Sequence, residues 1–374
     1  MTAVRVEEYG TVSSKPSQTT ARRRLSNSGS PATSTMTDTK PAKRKRTDSL
    51  DSNILGWSPG VDPEEAGAVT QSREHWFNDG NIILQAESKR YRVHQSVLKR
   101  YSSWFDEALL FPQPAEAEIQ RDDCPFFVLG DTTEDIDNML TLLYDTMSVS
   151  VFRGISVSVL GTMLRLGRKY SFKIFWDEAV KFLEKSYPDT LCDWDGEEKQ
   201  IYDKFTDNNE DALFGVIALA HEFGLKSVLP TAYVSVLLEY DSTTFFAKRR
   251  VAWRVEEPLN CLLAREKIYN AITKHPLSWL HESTPVSKKC VSRAGCTSVK
   301  HAALIALLKG DHRTTLQILV TGWCDTDLGN DFCKECSPVV EKIYNEGRKK
   351  VWHLLPEYLG LENEVWNTRF ESPE

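Results

Sequence analysis

No stretch of this 374-residue chain approaches the ~18 uninterrupted apolar residues that a bilayer-crossing helix needs, so no membrane partner is expected. The first fifty residues are dominated by Ser, Thr, Lys and Arg and hold no basic start followed by an apolar stretch, so no secretory route is expected either. Catalytic signatures are missing as well. The sequence has no Gly-x-Gly-x-x-Gly or Walker loop to cradle a phosphate, no Gly-x-Ser-x-Gly elbow and no His-Glu-x-x-His pair. Nor does it contain a two-Cys, two-His finger, a basic zipper or another element that reads a DNA groove. The expectation is a chain that is not an enzyme and makes no direct contact with nucleic acid.

What is present is an ordinary globular balance, with 41% hydrophobic and 26% charged residues. A domain typically takes roughly 100 to 200 residues, so the length allows two folded units and some unstructured chain. The net charge of −7 hides an asymmetry: residues 1–50 carry ten Lys/Arg against four Asp/Glu, leaving the remainder strongly acidic. An acidic folded portion repels nucleic-acid phosphates. The eight cysteines, with no leader ahead of them, are expected as thiols or metal ligands in a reducing compartment, and five of them fall in the last quarter.

Residues 1–70 have few apolar positions and no sustained period of 2 or 3.6, so this basic tail is expected to be disordered. It carries two basic clusters, Arg22-Arg23-Arg24 and Lys43-Arg44-Lys45-Arg46. The second is the candidate nuclear import signal, which makes the nucleus the expected location and the cytoplasm the alternative. Ser26 and Ser49, next to the clusters, are positions where phosphate would weaken their positive charge.

From Trp76 the pattern changes. Asn81–Ala86 reads as a strand and Tyr91–Val93 as a second, joined by the polar turn Glu87-Ser88-Lys89-Arg90. Val97, Leu98 and Tyr101, then Trp104, Phe105, Ala108 and Leu109, space as two short helices, the second capped by Ser103 through the Asp106 amide. Phe126–Leu129, closed by Gly130, reads as a buried third strand. Ile136, Met139, Leu140, Leu143 and Tyr144 form the stripe of an amphipathic helix. Val159, Leu160, Met163 and Leu164 mark another, and Phe175, Ala179, Phe182 and Leu183 a third, with Pro188 closing the unit.

Five strings in this order resemble the BTB/POZ domain, a small sheet of three to five strands flanked by helices. Asp79-Gly80-Asn81-Ile82-Ile83-Leu84 resembles the opening acid and strand of that family, and Tyr91-Arg92-Val93-His94-Gln95-Ser96-Val97-Leu98 its second strand and His-x-x-x-Leu helix. Ser102-Ser103-Trp104-Phe105 and Leu140-Thr141-Leu142-Leu143-Tyr144 resemble later helix segments. Leu164-Arg165-Leu166-Gly167-Arg168-Lys169-Tyr170 resembles a further element in which Gly167 stands for the usual Ala. The resemblance implies a fungal-type α+β BTB/POZ domain over 71–187, a homodimer, and an interface around Trp76, Phe77, Asp79, Tyr101 and Trp104. Two readings of Asp79, as interface residue or turn cap, stay open, and His94 reads as a structural hydrogen-bonding residue ahead of a ligand or base.

Residues 188–374 read as an all-α C-terminal region. Thr190–Asn209 is acidic and loop-like, Leu213 to Phe223 marks a helix ended by Gly224, and Pro230 begins another. Ile217–Leu225 and Val228–Ala232 resemble the helical extension that follows BTB domains in many fungal proteins. The segment 290–336 is rich in cysteine. Cys290, Cys296, Cys333 and Cys336, with Cys324, His301 and His312 between, supply the soft ligands of a tetrahedral zinc site. The five-residue gap between the first pair is wider than a standard knuckle, so structural zinc and reduced thiols both remain open, with no other cofactor expected.

The function expected is a non-catalytic scaffold that dimerises and binds protein partners through its BTB/POZ domain. Two alternatives accompany it: a substrate adaptor of a cullin-type ubiquitin ligase, and a nuclear transcription regulator that acts through partners.

Overall fold

The computed structural model describes residues 69–110, 124–145, 154–196, 212–248, 257–281, 286–329 and 331–361, all within the compact unit Pro63–Glu374. It is a mixed α+β fold, mostly helical, with one small four-stranded sheet. The strands are β1 (Thr70–Trp76), β2 (Ile82–Ala86), β3 (Lys89–Val93) and β4 (Phe126–Leu129). Their order across the sheet is β1-β3-β2-β4, with the β2–β3 hairpin antiparallel and an outer strand parallel to each of its members.

The hairpin sits centrally because β2 is apolar on both faces: Ile82, Ile83, Leu84 and Ala86 are all buried. Its turn is tighter than the polar run Glu87 to Arg90 implies, since Ala86 pairs with Lys89 and only Glu87 and Ser88 lie in the loop. Glu87 takes a left-handed φ of 48°, and its carboxylate accepts hydrogen bonds from the Thr133 amide and hydroxyl, which ties the turn to the next helix. Two other strand expectations need correction. β4 is not a buried strand, because it lies at the sheet edge and Val128 is 69% exposed. β1 was not legible in the sequence, because TQSREHW lacks apolar alternation. It buries Ser72 and His75 instead, and the His75 ring meets the Thr141 hydroxyl at 3.2 Å.

Helices α1 (Gln95–Tyr101) and α2 (Ser103–Ala108) link β3 to β4. The cap of α2 is Ser102, not Ser103: its hydroxyl accepts from the Phe105 amide at 3.0 Å and donates to the Tyr170 carbonyl at 2.6 Å. The amphipathic helices follow as α3 (Thr133–Tyr144), α4 (Val157–Lys169) and α5 (Lys173–Ser186), the first two capped by Thr132 and Ser156. Gly167 has a packing reason. A Cβ there would meet the Trp176 backbone nitrogen at 3.1 Å, so the glycine lets α4 and α5 approach closely.

Beyond residue 188 the described elements are helical. They are α6 (Leu191–Gly196), α7 (Ala212–Phe223), α8 (Leu229–Glu239), α9 (Ser242–Lys248), α10 (Glu257–Lys274), α11 (Arg293–Lys309), α12 (His312–Val320), α13 (Ser337–His353) and α14 (Leu355–Tyr358). The helix α6 corrects the loop expected from Thr190 onward: Thr190 accepts from the Asp193 amide, and Leu191 supplies a buried anchor. α8 is buried from Leu229 to Leu237, so it forms the centre of this region. Arg265 of α10 donates to the Leu237 and Tyr240 carbonyls and so satisfies the end of α8.

The hydrophobic core runs without a break across residue 188. Trp176 of α5 meets Phe223 of α7 edge-on, and the Trp352 indole donates to the Asp189 carbonyl at 2.9 Å. Arg348, only 2% exposed, reaches from α13 to α6, where it grips Asp195 through two hydrogen bonds of 2.7 and 3.0 Å.

A second ion pair, the buried Asp135 with the partly exposed Arg165, makes a pH prediction. Burial raises the Asp135 pKa, but hydrogen bonds from Arg165 and Thr162 and the Arg165 charge outweigh it, and the net shift is downward. A carboxyl with a depressed folded pKa contributes stability above its unfolded pKa, and that stability is lost as pH falls through the folded value. In urea unfolding, Asp135→Asn is expected to cost about 1–3 kcal/mol at pH 7. The deficit should shrink below about pH 4. A deficit that stays constant with pH contradicts the assignment.

Candidate metal centre

Two separated pieces of chain bring four cysteines together. Cys290 lies in the turn before α11, its amide bonded to the Ser287 carbonyl, and Cys296 projects from the second turn of that helix. Cys333 and Cys336 form a tight turn that opens α13: the Cys336 and Ser337 amides both donate to the Cys333 carbonyl, at 2.9 and 3.0 Å. Phe332, stacked edge-on against the fully buried Trp279, fixes the start of that turn. The four Sγ atoms all lie within 4.8 Å of one another, and those of Cys290 and Cys333 are 3.9 Å apart. Four sulfurs at 2.3 Å from a tetrahedral zinc ion are separated by about 3.8 Å, so the cluster lies within the distance a metal-binding set requires.

Backbone amides point at these sulfurs, as they do around metal-bound thiolates. The Cys333 amide donates to the Cys296 sulfur at 3.5 Å, and the Ser287 amide to that of Cys336. The Cys333 thiol receives amides from Val291, Glu335 and Cys336, chiefly Val291, and these lower its pKa to about 6. Burial acts oppositely on its neighbours: it raises the Cys296 thiol and pushes Cys336 up to about 12. The thiols therefore differ in acidity, Cys333 below its ordinary value and the buried Cys296 and Cys336 above it.

The cysteine spacing that matches no standard finger is resolved by the fold. The five-residue gap spans a turn plus the first turn of α11, which carries Cys290 and Cys296 to the same point. His301 is exposed farther along α11, and Cys324 is exposed in the short 3-10 turn Trp323–Asp325, and neither belongs to the four-sulfur group. The side chain of His312 lies outside the described residues.

The positions expected at a dimer interface fall into two groups of rings. Phe77 stacks on Tyr144 at 4.7 Å and lies 5.3 Å from the His94 ring. His94 in turn bonds the Tyr144 hydroxyl through its backbone amide and Nδ1, and faces exposed Asp79 at 3.4 Å, so it acts as a structural bridge. Trp76 is half-buried beside them at the end of β1. Tyr101 and Trp104, on α1 and α2, are 36% and 38% exposed, and the Trp104 ring is held edge-on by Phe105 and Tyr170. Lys43, Arg44, Lys45 and Arg46 lie outside the described residues.

Sequence reading missed a cavity of about 700 Å³ between α5, α6, α8, α12 and α13, lined among others by Trp194, Trp323, Arg348 and Asp195. Its walls come from segments more than a hundred residues apart, so no local motif marks it. No helix among the described residues is long and apolar enough to cross a membrane.

The split in thiol acidity is open to measurement. In chelator-treated protein at pH 7, iodoacetamide should label Cys333 well before Cys336, with the Cys333 rate falling only as pH drops through about 6. Equal labelling of the two, read by peptide mapping, contradicts the geometry. In comparisons with known proteins, no family model, no curated protein and no solved structure matches this chain.

Proposed function

We propose that this chain is a non-catalytic protein-interaction scaffold in which residues 71–187 are a BTB/POZ-type module that pairs with a second copy. The helical region behind it is pinned by a structural zinc ion on Cys290, Cys296, Cys333 and Cys336. The observation that carries the scaffold reading is the aromatic surface on α1 and α2. Leu98 and Phe105 anchor these helices in the core, while Tyr101 and Trp104 face solvent. Trp104 is costly to leave in water, and its ring is already immobilised by Phe105 and Tyr170, so little side-chain freedom is lost when a partner covers it.

The BTB/POZ reading is supported by where its motif residues fall. Val93, Leu98, Phe105, Leu140, Leu164 and Tyr170 are all buried around the hairpin, and His94 joins the β3–α1 junction to the end of α3. The zinc reading is supported by the donor set: four clustered thiols with amide donors suit a soft-ligand structural site, and four sulfur ligands would fill a tetrahedral ion's coordination with no position open for water or substrate.

Sedimentation of the intact protein at micromolar concentration tests the pairing. A dimer is expected, and Tyr101→Glu with Trp104→Glu should raise its dissociation constant by about tenfold or more. Circular dichroism should show that the variant remains folded. A wild-type protein that sediments strictly as a monomer contradicts the scaffold's self-association.

A further inference from the structure

From Val286 to Gly310 the chain holds five cations, Lys288, Lys289, Arg293, Lys300 and Lys309, and no carboxylate, within a protein of net charge −7. Four of the five, Lys288, Lys289, Arg293 and Lys309, are exposed, and a zinc tetrathiolate contributes two negative charges, so the exposed segment stays positive, at about +2, with the metal in place. This basic island includes α11, whose outer face is incompletely covered. Cys296, Lys300 and Ala303 turn inward. Arg293, Thr297, His301, Leu304 and Leu308, spaced at intervals of four and three, share the solvent side, with Ile305 beside them. Leu304, Ile305 and Leu308 are 44, 50 and 76% exposed. The face is thus basic at its metal-held beginning and apolar at its end.

We propose that the outer face of α11 docks an acidic peptide segment of a partner protein. The partner's apolar side chains cover Leu304, Ile305 and Leu308, and its carboxylates lie toward Arg293, Lys288 and Lys289. Charge complementarity selects this occupant. A second copy of the same face would bring like charges together across an apolar contact. Nucleic acid would neutralise the cations but leave three aliphatic side chains in water. A lipid surface favours a helix whose apolar face runs along its whole length, whereas in α11 the exposed large apolar side chains occupy little more than the last turn and a half. An amphipathic partner segment laid along this face would bury the three aliphatic side chains through anchors at i, i+3 and i+4 spacing, with flanking ion pairs. The inference rests on the zinc reading in one respect: the metal centre holds the first turns of α11 in place.

The test uses the full chain and a synthetic amphipathic peptide with Leu on one face and Glu on the other, set against a matched peptide with Lys for Glu. Fluorescence anisotropy should give affinity for the Glu peptide at least about tenfold above that for the Lys peptide. Ile305→Glu combined with Leu308→Glu should lower the affinity by about tenfold or more. Both side chains are largely exposed and lie outside the metal site, so the melting temperature should stay as in the wild type. Equal affinity for the two peptides, or binding that survives the double substitution, overturns the proposal. So does binding to phosphatidylserine vesicles in place of the Glu peptide, or a self-association that the double substitution abolishes. Zinc is measured in the same samples. Peptide discrimination without zinc contradicts the metal reading and supports the docking face, while zinc without peptide discrimination overturns the docking face alone.

Discussion

Four sulfurs within 4.8 Å of one another bring the start of α11 against the start of α13. Packing thiols together gains little in itself, since each is small and burial raises the cost of ionising it, as at Cys296 and Cys336. A divalent cation reverses that balance, because it takes the place of the protons and turns four neighbours that resist charge into ligands. The gain is mechanical as well as electrostatic. α11 buries little apolar surface of its own, with Cys296 and Ala303 its only fully buried apolar residues. In the proposed zinc site, metal–sulfur bonds would join its start to the start of α13 and do there what apolar packing does for α8.

The other half of the molecule is held by ordinary burial, and the two halves are not separable in the core. Apolar side chains from the sheet and from α3 to α5 merge with those of α7, α8 and α10. The Arg348–Asp195 pair crosses from α13 to α6 at the edge of that core, where the planar guanidinium also caps the Leu319 carbonyl. A surface that presents Tyr101 and Trp104 is therefore braced through α4 and α5 by the helical region behind it. That rigidity is what the proposed scaffold role would need, because a partner gains affinity when the contact surface is ordered before it arrives.

Much of this was legible in the sequence where periodicity was strong. The stripe of α3 and the faces of α4 and α5 follow from apolar spacing. The failures also have physical causes. β1 is built from polar residues whose burial depends on partners such as Thr141, which no local pattern announces. Ser102 displaces Ser103 as the cap because its hydroxyl also meets the distant Tyr170 carbonyl. β4 looks buried as Phe-Phe-Val-Leu, but its place at the sheet edge leaves Val128 in water. At the metal centre, the residue types were legible and the assembly was not. Cys-x2-Cys identifies one half, while the wide Cys290 to Cys296 spacing becomes a ligand pair only once a turn and a helix fold between them. Cys324, which looks equivalent in sequence, is carried elsewhere.

The most direct test of this account is the metal content of the full-length protein purified without chelator, measured by inductively coupled plasma mass spectrometry. About one equivalent of zinc per chain is expected, falling to background when Cys296 and Cys336 are replaced by serine and unchanged when Cys324 is replaced. Less than about a tenth of an equivalent in the wild type, from protein that is folded and kept reduced, contradicts the metal centre.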